Sequence, residues 1–129
     1  MFAALMADRM VKSFICSVEN LAMRTHQQID TRSRAMHALV AAKIRANPAL
    51  FDHVKVTLAR WRTIVSASSQ PYLIEWESLV NEGLEPCLAI AVQNSQRADA
   101  LRQSSPFTGI LTNAERFAFL KSWKFDHAT

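Results

Sequence analysis

Along most of this chain apolar residues recur every three to four positions, the period of an amphipathic helix and not that of a half-buried strand. From about Phe2 to Gln27 the stripe is Phe2, Met6, Met10, Phe14, Val18 and Leu21, with Leu5, Val11, Ile15 and Ala22 beside it. Asp8, Arg9, Lys12, Ser13, Glu19 and Asn20 fall largely elsewhere. So wide an apolar face suits core packing first, and a dimer seam or a membrane-surface helix second. The membrane alternative needs a strongly basic polar face, which Asp8 and Glu19 dilute. A second helix is expected over about Arg32 to Arg45, capped by Asp30 or Thr31, with Met36, Leu39, Val40 and Ile44 as its stripe. Asn47-Pro48 reads as a cap followed by proline at the first helical position. The third helix then runs to about Ala67, with Phe51, Val54, Leu58, Trp61 and Val65 facing inward.

Residues 66–71 (SASSQP) form the clearest break, short enough to be a loop and not a domain boundary. A fourth helix spans about Pro71 to Glu82, with Leu73, Trp76, Leu79 and Val80 inward and Gly83 placed to end it. Leu84 to Val92 is apolar on nearly every side. Glu85-Pro86 at its start and its alanines favour a buried helix over a strand, running to about Gln103 or breaking at Asn94-Ser95. Ser104 to Leu111 is a loop, and Thr112-Asn113-Ala114-Glu115 matches the capping box of a last helix through Trp123. Phe117, Leu120 and Trp123 are its expected buried edge. The pattern therefore predicts an all-α fold, a compact bundle of about six helices in a single domain. Residues 29–129 form the helical domain, and residues 1–28 an amphipathic extension or oligomerisation element.

Composition sharpens this by exclusion. The chain has 129 residues, half of them apolar, which suffices for a core without disulfide or metal. Its two glycines, Gly83 and Gly109, are too few and too isolated for a phosphate-binding loop or a turn-rich β fold. Cys16 and Cys87 lie far apart in apolar stretches and read as buried thiols in a reducing compartment. Asp8, Arg9 and Lys12 interrupt any signal-peptide core, and no apolar run approaches the ~20 residues of a membrane span. A cytoplasmic protein without membrane attachment is expected. The net charge of +4 favours anionic partners only mildly.

Candidate chemistry is sparse. His26, His37, His53 and His127 include no i, i+4 pair and no neighbouring cysteine pair, so surface or partly buried histidines without a shared role are expected, with no metal and no cofactor. Glu75, Glu77, Glu82 and Glu85 gather in residues 70–90, which hold no Lys or Arg; a solvated acidic face outweighs an acid–base pair. Upstream, Arg32, Arg34, Lys43, Arg45, Lys55, Arg60 and Arg62 face only Asp30 and Asp52 between residues 30 and 62, a net of +5. That segment is the candidate nucleic-acid surface; the plainer alternative pairs it with the acidic helix. Ser66, Ser68, Ser69, Ser104 and Ser105 have no histidine nearby in sequence and read as loop and cap residues, so no catalytic set is assigned.

Residues 101–112 (LRQSSPFTGILT) place Phe107, Ile110 and Leu111 in a loop beside a proline and a glycine. An aromatic there either plugs the core or is offered to a partner, and the plug is the commoner outcome. The run LRQSSPFTGILTNAERFAFLK, Leu101 to Lys121, resembles the C-terminal signature of a family of short bacterial proteins: leucine-arginine-glutamine-serine-serine-proline-phenylalanine, then glycine, then glutamate-arginine. NPALFDHVKVTLARWR, Asn47 to Arg62, is similar to that family's middle helix, and the resemblance covers about Thr31 to Trp123. It implies a small accessory gene product, an antitoxin-like partner of a toxin such as a nucleotidyltransferase-type protein. The matching positions, Arg102, Ser104, Ser105, Pro106, Phe107, Gly109, Glu115 and Arg116, are the family-implied partner-binding set; alternatively they form a shared fold nucleus.

Three functions remain open. The leading expectation is a non-catalytic protein-binding module, an antitoxin or other inhibitor of a larger enzyme, using Phe107 and the N-terminal helix as anchors. The alternative is a nucleic-acid-binding transcriptional regulator using the 32–62 segment. An enzyme has no candidate residues, and the N-terminal helix offers a route to a homo-oligomer.

Overall fold

The structure, a computed structural model, describes residues 25–126. Thr25 and Gln28 close a capping box: the Gln28 N–H donates to Thr25 Oγ1 at 3.2 Å, and the Thr25 N–H donates to Gln28 Oε1 at 3.0 Å. Helix α1 (His26–Ala46) therefore starts well before the expected cap at Asp30 or Thr31, which lie inside it. The expected 2–27 helix falls, up to Arg24, outside the described residues. Met36, Val40 and Ile44 are buried as the spacing predicts, but Leu39 is half-exposed and the buried face continues through Arg32, Ser33, His37 and Ala41. Polar side chains thus extend an apolar stripe inward, something periodicity alone scores as surface.

Helix α2 (Leu50–Ile64) follows Pro48 and ends at Val65, whose N–H donates to the Trp61 carbonyl. It buries Phe51, Val54, Leu58 and Trp61. Helix α3 (Gln70–Glu82) has proline in its first turn and buries Leu73, Trp76, Leu79 and Val80. Gly83, at φ +129°, ends α3 and leads directly into α4 (Leu84–Ala91), so two helices meet at one residue that only glycine suits. The chain breaks after Val92 and restarts where Ser95 Oγ accepts the Ala98 N–H at 3.1 Å, giving α5 (Gln96–Arg102).

Short connections make sequential helices pack as neighbours, α2 on α3 and α3 on α4, while α1 lies across α4 and α5. The core runs through all five, with Trp61, Trp76, Leu73, Cys87, Leu88 and Leu101 nearly inaccessible. Phe107 and Ile110, from the 103–112 loop, complete it. No strand occurs among the described residues. This is an all-α bundle of six described helices.

Helix α6 (Asn113–Asp126) is different in kind: none of its residues is buried. Phe119 and Leu120 rest on Met36, and Trp123 is half-buried against Phe119. Phe117, expected on the buried edge, is 73% exposed. Residues 116, 119, 120 and 123 share the inward face, and at 100° per residue Phe117 is turned away from it.

Candidate functional site

The Ser105 side chain sits at the centre of the loop that carries the signature. His37 Nδ1 lies 2.7 Å from the Ser33 carbonyl oxygen, which can only accept, so Nδ1 carries the proton. Nε2 must then accept, and its partner at 2.8 Å is the Ser105 hydroxyl. Ser105 Oγ in turn accepts the Phe107 N–H at 3.3 Å. Burial pulls the His37 pKa from 6.5 down to about 4, which keeps the ring neutral and the tautomer fixed. Phe107 is clamped edge-on between Trp76, 5.3 Å away, and His37, 5.8 Å away.

A hydroxyl on a histidine oriented by a third group has the form of an activated nucleophile. Here both side chains are fully buried and the Oγ lone pair is engaged by the Phe107 amide, so no substrate atom reaches it in this arrangement. What the geometry does is fasten the loop to α1 across 68 residues of sequence. Reading neighbours along the chain missed this contact, because four helices separate His37 from the serine.

Arg102 does a parallel job one turn away. Its Nη1 donates to the carbonyls of Ala91 at 3.0 Å and Gln93 at 2.9 Å, closing the open end of α4, and Nη2 pairs with Asp99. Burial lowers its pKa, and the Asp99 carboxylate opposes that. Trp76 Nε1 donates to the Leu101 carbonyl at 2.8 Å. Of the family-implied residues, Arg102, Ser104, Ser105, Pro106 and Phe107 are thus buried together. Phe107, expected as a partner anchor, is a core plug. Gly109, at φ +89°, and Glu115 are exposed, and Arg116 is half-buried. A side chain at Gly109 would also meet His53 Nε2 at 3.2 Å.

Thr112 and Glu115 form the expected capping box, Thr112 N–H to Glu115 Oε1 at 2.8 Å and Glu115 N–H to Thr112 Oγ1 at 3.1 Å. Lys43 Nζ donates to the same carboxylate and to the Ile110 carbonyl at 2.7 Å. Lys43 first, and the Thr112 amide second, pull the Glu115 pKa down to about 2.

The seven basic residues of the 30–62 segment are not gathered into one surface. Arg32 is fully buried, and Lys43 is committed to the loop. Arg45 pairs with Glu85 at 3.1 Å and Arg62 with Glu77 at 3.4 Å, so the acidic segment answers the basic one within the chain. Hydrogen bonding to Arg45 lowers the Glu85 pKa. Lys55 pairs loosely with Asp52 and lies over the Phe51 ring; Arg60 is exposed and Arg34 half-buried. Among the described histidines, His26 and His53 are exposed and His37 is buried, and no three potential ligands meet at one point among the described residues. His127 lies outside them, as does Cys16. Burial pushes the Cys87 thiol up to about 12, so it is unreactive.

The surface feature absent from the sequence reading is the outer face of α6. Phe117 and Phe125 are 73% and 85% exposed, and an open apolar hollow of about 650 Å³ is lined by Ala118, Lys121, Ser122, Lys124 and Phe125. Residues 114, 117, 118, 121, 122 and 125 share the face opposite the one on Met36, where Ala114, Phe117, Ala118 and Phe125 supply the apolar surface and Lys121 and Ser122 lie between them. Phe117 and Phe125 in one stripe eight residues apart are the signal that could have found it. No family model, curated protein or solved structure matches the chain.

Proposed function

We propose that the chain is a small protein-binding module, of the antitoxin or enzyme-inhibitor kind, whose partner docks on the outer face of α6. The observation that carries this is the pair of exposed phenylalanines on a helix whose other face is already used. Large aromatics on a regular, capped helix lose little conformational freedom on binding, which makes them effective anchors. Lys121 and Lys124 beside them suit a partner groove that is apolar at its centre and carboxylate-bearing at its rim. The signature loop serves this surface indirectly, since Lys43, Glu115 and Thr112 fix where α6 begins.

The test is purification of the tagged chain from its native host beside a Phe117→Ser/Phe125→Ser variant. A stoichiometric protein partner retained by the first and lost by the second, with both melting at the same temperature, supports the proposal. Equal retention by both, or no partner with either, overturns it.

A further inference from the structure

Helix α6 carries large apolar residues on nearly every side. At about 100° per residue, Phe119, Trp123, Leu120, Phe117 and Phe125 follow one another around its axis. Only the sector holding Glu115, Ser122 and Asp126 lacks a large apolar side chain. A helix with that distribution is ordinarily enclosed. Here none of its residues is buried. Phe119 and Leu120 rest half-buried on Met36, and the opposite face, with Phe117 and Phe125, is open.

The attachment of α6 is separable from that of the loop before it. Up to Ile110 the loop is fixed: Ser105 bonds to His37, Phe107 and Ile110 are buried, and the Ile110 carbonyl accepts from Lys43. From Thr112 onward the chain belongs to the α6 cap. Beyond that joint, the Lys43–Glu115 pair and the Met36 contact tie α6 to α1. The pair is partly exposed on both sides, and ion pairs so exposed hold weakly.

We propose that α6 is a detachable docking arm: it swings off Met36 about Leu111–Thr112, and a protein partner closes around the whole helix, taking Phe119 and Leu120 as well as Phe117 and Phe125. The loop stays locked to α1 while the arm leaves. Lys121 and Lys124 flank Phe117 around the helix axis, so the partner wall that receives Phe117 carries carboxylates at its edge, and the rest of the cleft is apolar. A second copy of this chain fits less well, because its net charge is +4 and its own two lysines would face these. The proposal rests on α6 as the docking element and adds what the helix leaves in order to dock.

Off Met36, a helix of 14 residues is marginal in water, so opening appears as hydrogen exchange of the entire helix. In the native chain the amides of residues 117–125 are expected to share one opening equilibrium and to exchange roughly a hundredfold faster than the core amides of α2 and α3. The Ile110 amide, bonded to the Phe107 carbonyl, stays protected. Protection that falls away gradually toward the C-terminal end, or that matches α2 and α3, would overturn the arm. A Met36→Cys/Leu120→Cys chain in a Cys16→Ser background is then oxidised to tie α6 to α1, with the bridge verified by peptide mapping. The partner identified by capture on the native chain stays with the reduced form, and roughly tenfold less of it stays with the oxidised form, because binding draws on the open population. Equal retention by the two forms overturns the proposal and leaves docking on the outer face standing. Absence of any partner on the native chain overturns it together with the docking function.

Discussion

At the scale of the residue, Ser105 and His37 hold the most consequence for their size. Ser105→Ala removes the donor to His37 Nε2 and the acceptor for the Phe107 amide in one step. Each buried orphan costs on the order of 1–3 kcal/mol, so a loss of about 2–6 kcal/mol is expected in urea unfolding at pH 7. The pH response has a definite sign. His37 titrates near 4 in the fold against 6.5 ordinarily, so between those values the unfolded chain binds more protons than the folded one. Stability from this group is full above pH 6.5 and declines by about 1.4 kcal/mol per pH unit on acidification, roughly 3 kcal/mol by pH 4. Glu115, held near 2 by Lys43 and Thr112, continues the same trend at lower pH. A His37→Gln chain should show a flatter stability profile between pH 4 and 6.5, measured by urea midpoints. The sequence singled out Ser105 but not what it does, because hydrophobic periodicity weighs polarity and takes no account of burial. Arg32, Ser33 and His37 sit on the inward face of α1 and look in sequence like its solvent side.

At the scale of the element, boundaries were legible where a side chain makes the cap. Thr112-Asn113-Ala114-Glu115 states its own helix start, and Gly83 states a stop. Thr25-His26-Gln27-Gln28 is an equally good box, masked in sequence by the apolar residues on either side. Gly83→Ala should destabilise the bundle by about 1–3 kcal/mol. A Cβ there meets nothing nearer than Pro86 Cδ at 3.7 Å, so the whole penalty is backbone conformation, and Gly83→Asn should recover little of it. Helix α6 lacks buried residues and depends on its cap and on Met36. Its amides should therefore exchange hydrogen well before those of α2 and α3. Thr112→Ala should weaken α6 by about 1 kcal/mol and accelerate its exchange while leaving α2 and α3 unchanged.

At the scale of the whole molecule, opposite charges are mixed and not sorted. Arg45–Glu85, Arg62–Glu77 and Arg97–Glu75 join segments that appear polarised in the linear sequence. These pairs are solvent-facing and each contributes at most about 1 kcal/mol, so raising salt to about 1 M should shift the melting temperature only slightly. Fold class and most of the core could be read in advance, because period and turn chemistry are local. The pairing of acidic with basic helices, and the two-faced character of α6, depend on which side of each helix the bundle consumes. Periodicity offers a helix two faces, and only packing says which one is left over.

The hydrogen bond between His37 and Ser105 also constrains how the chain is made. At translation rates of about 5–20 residues per second, roughly 3–14 s separate the synthesis of the two residues. Throughout that interval the nascent α1 carries His37 and Met36 with their loop partners Ser105, Phe107 and Leu111 still unmade. The bond that fastens the loop to α1 therefore forms late in the life of the chain, after every helix between them has been made.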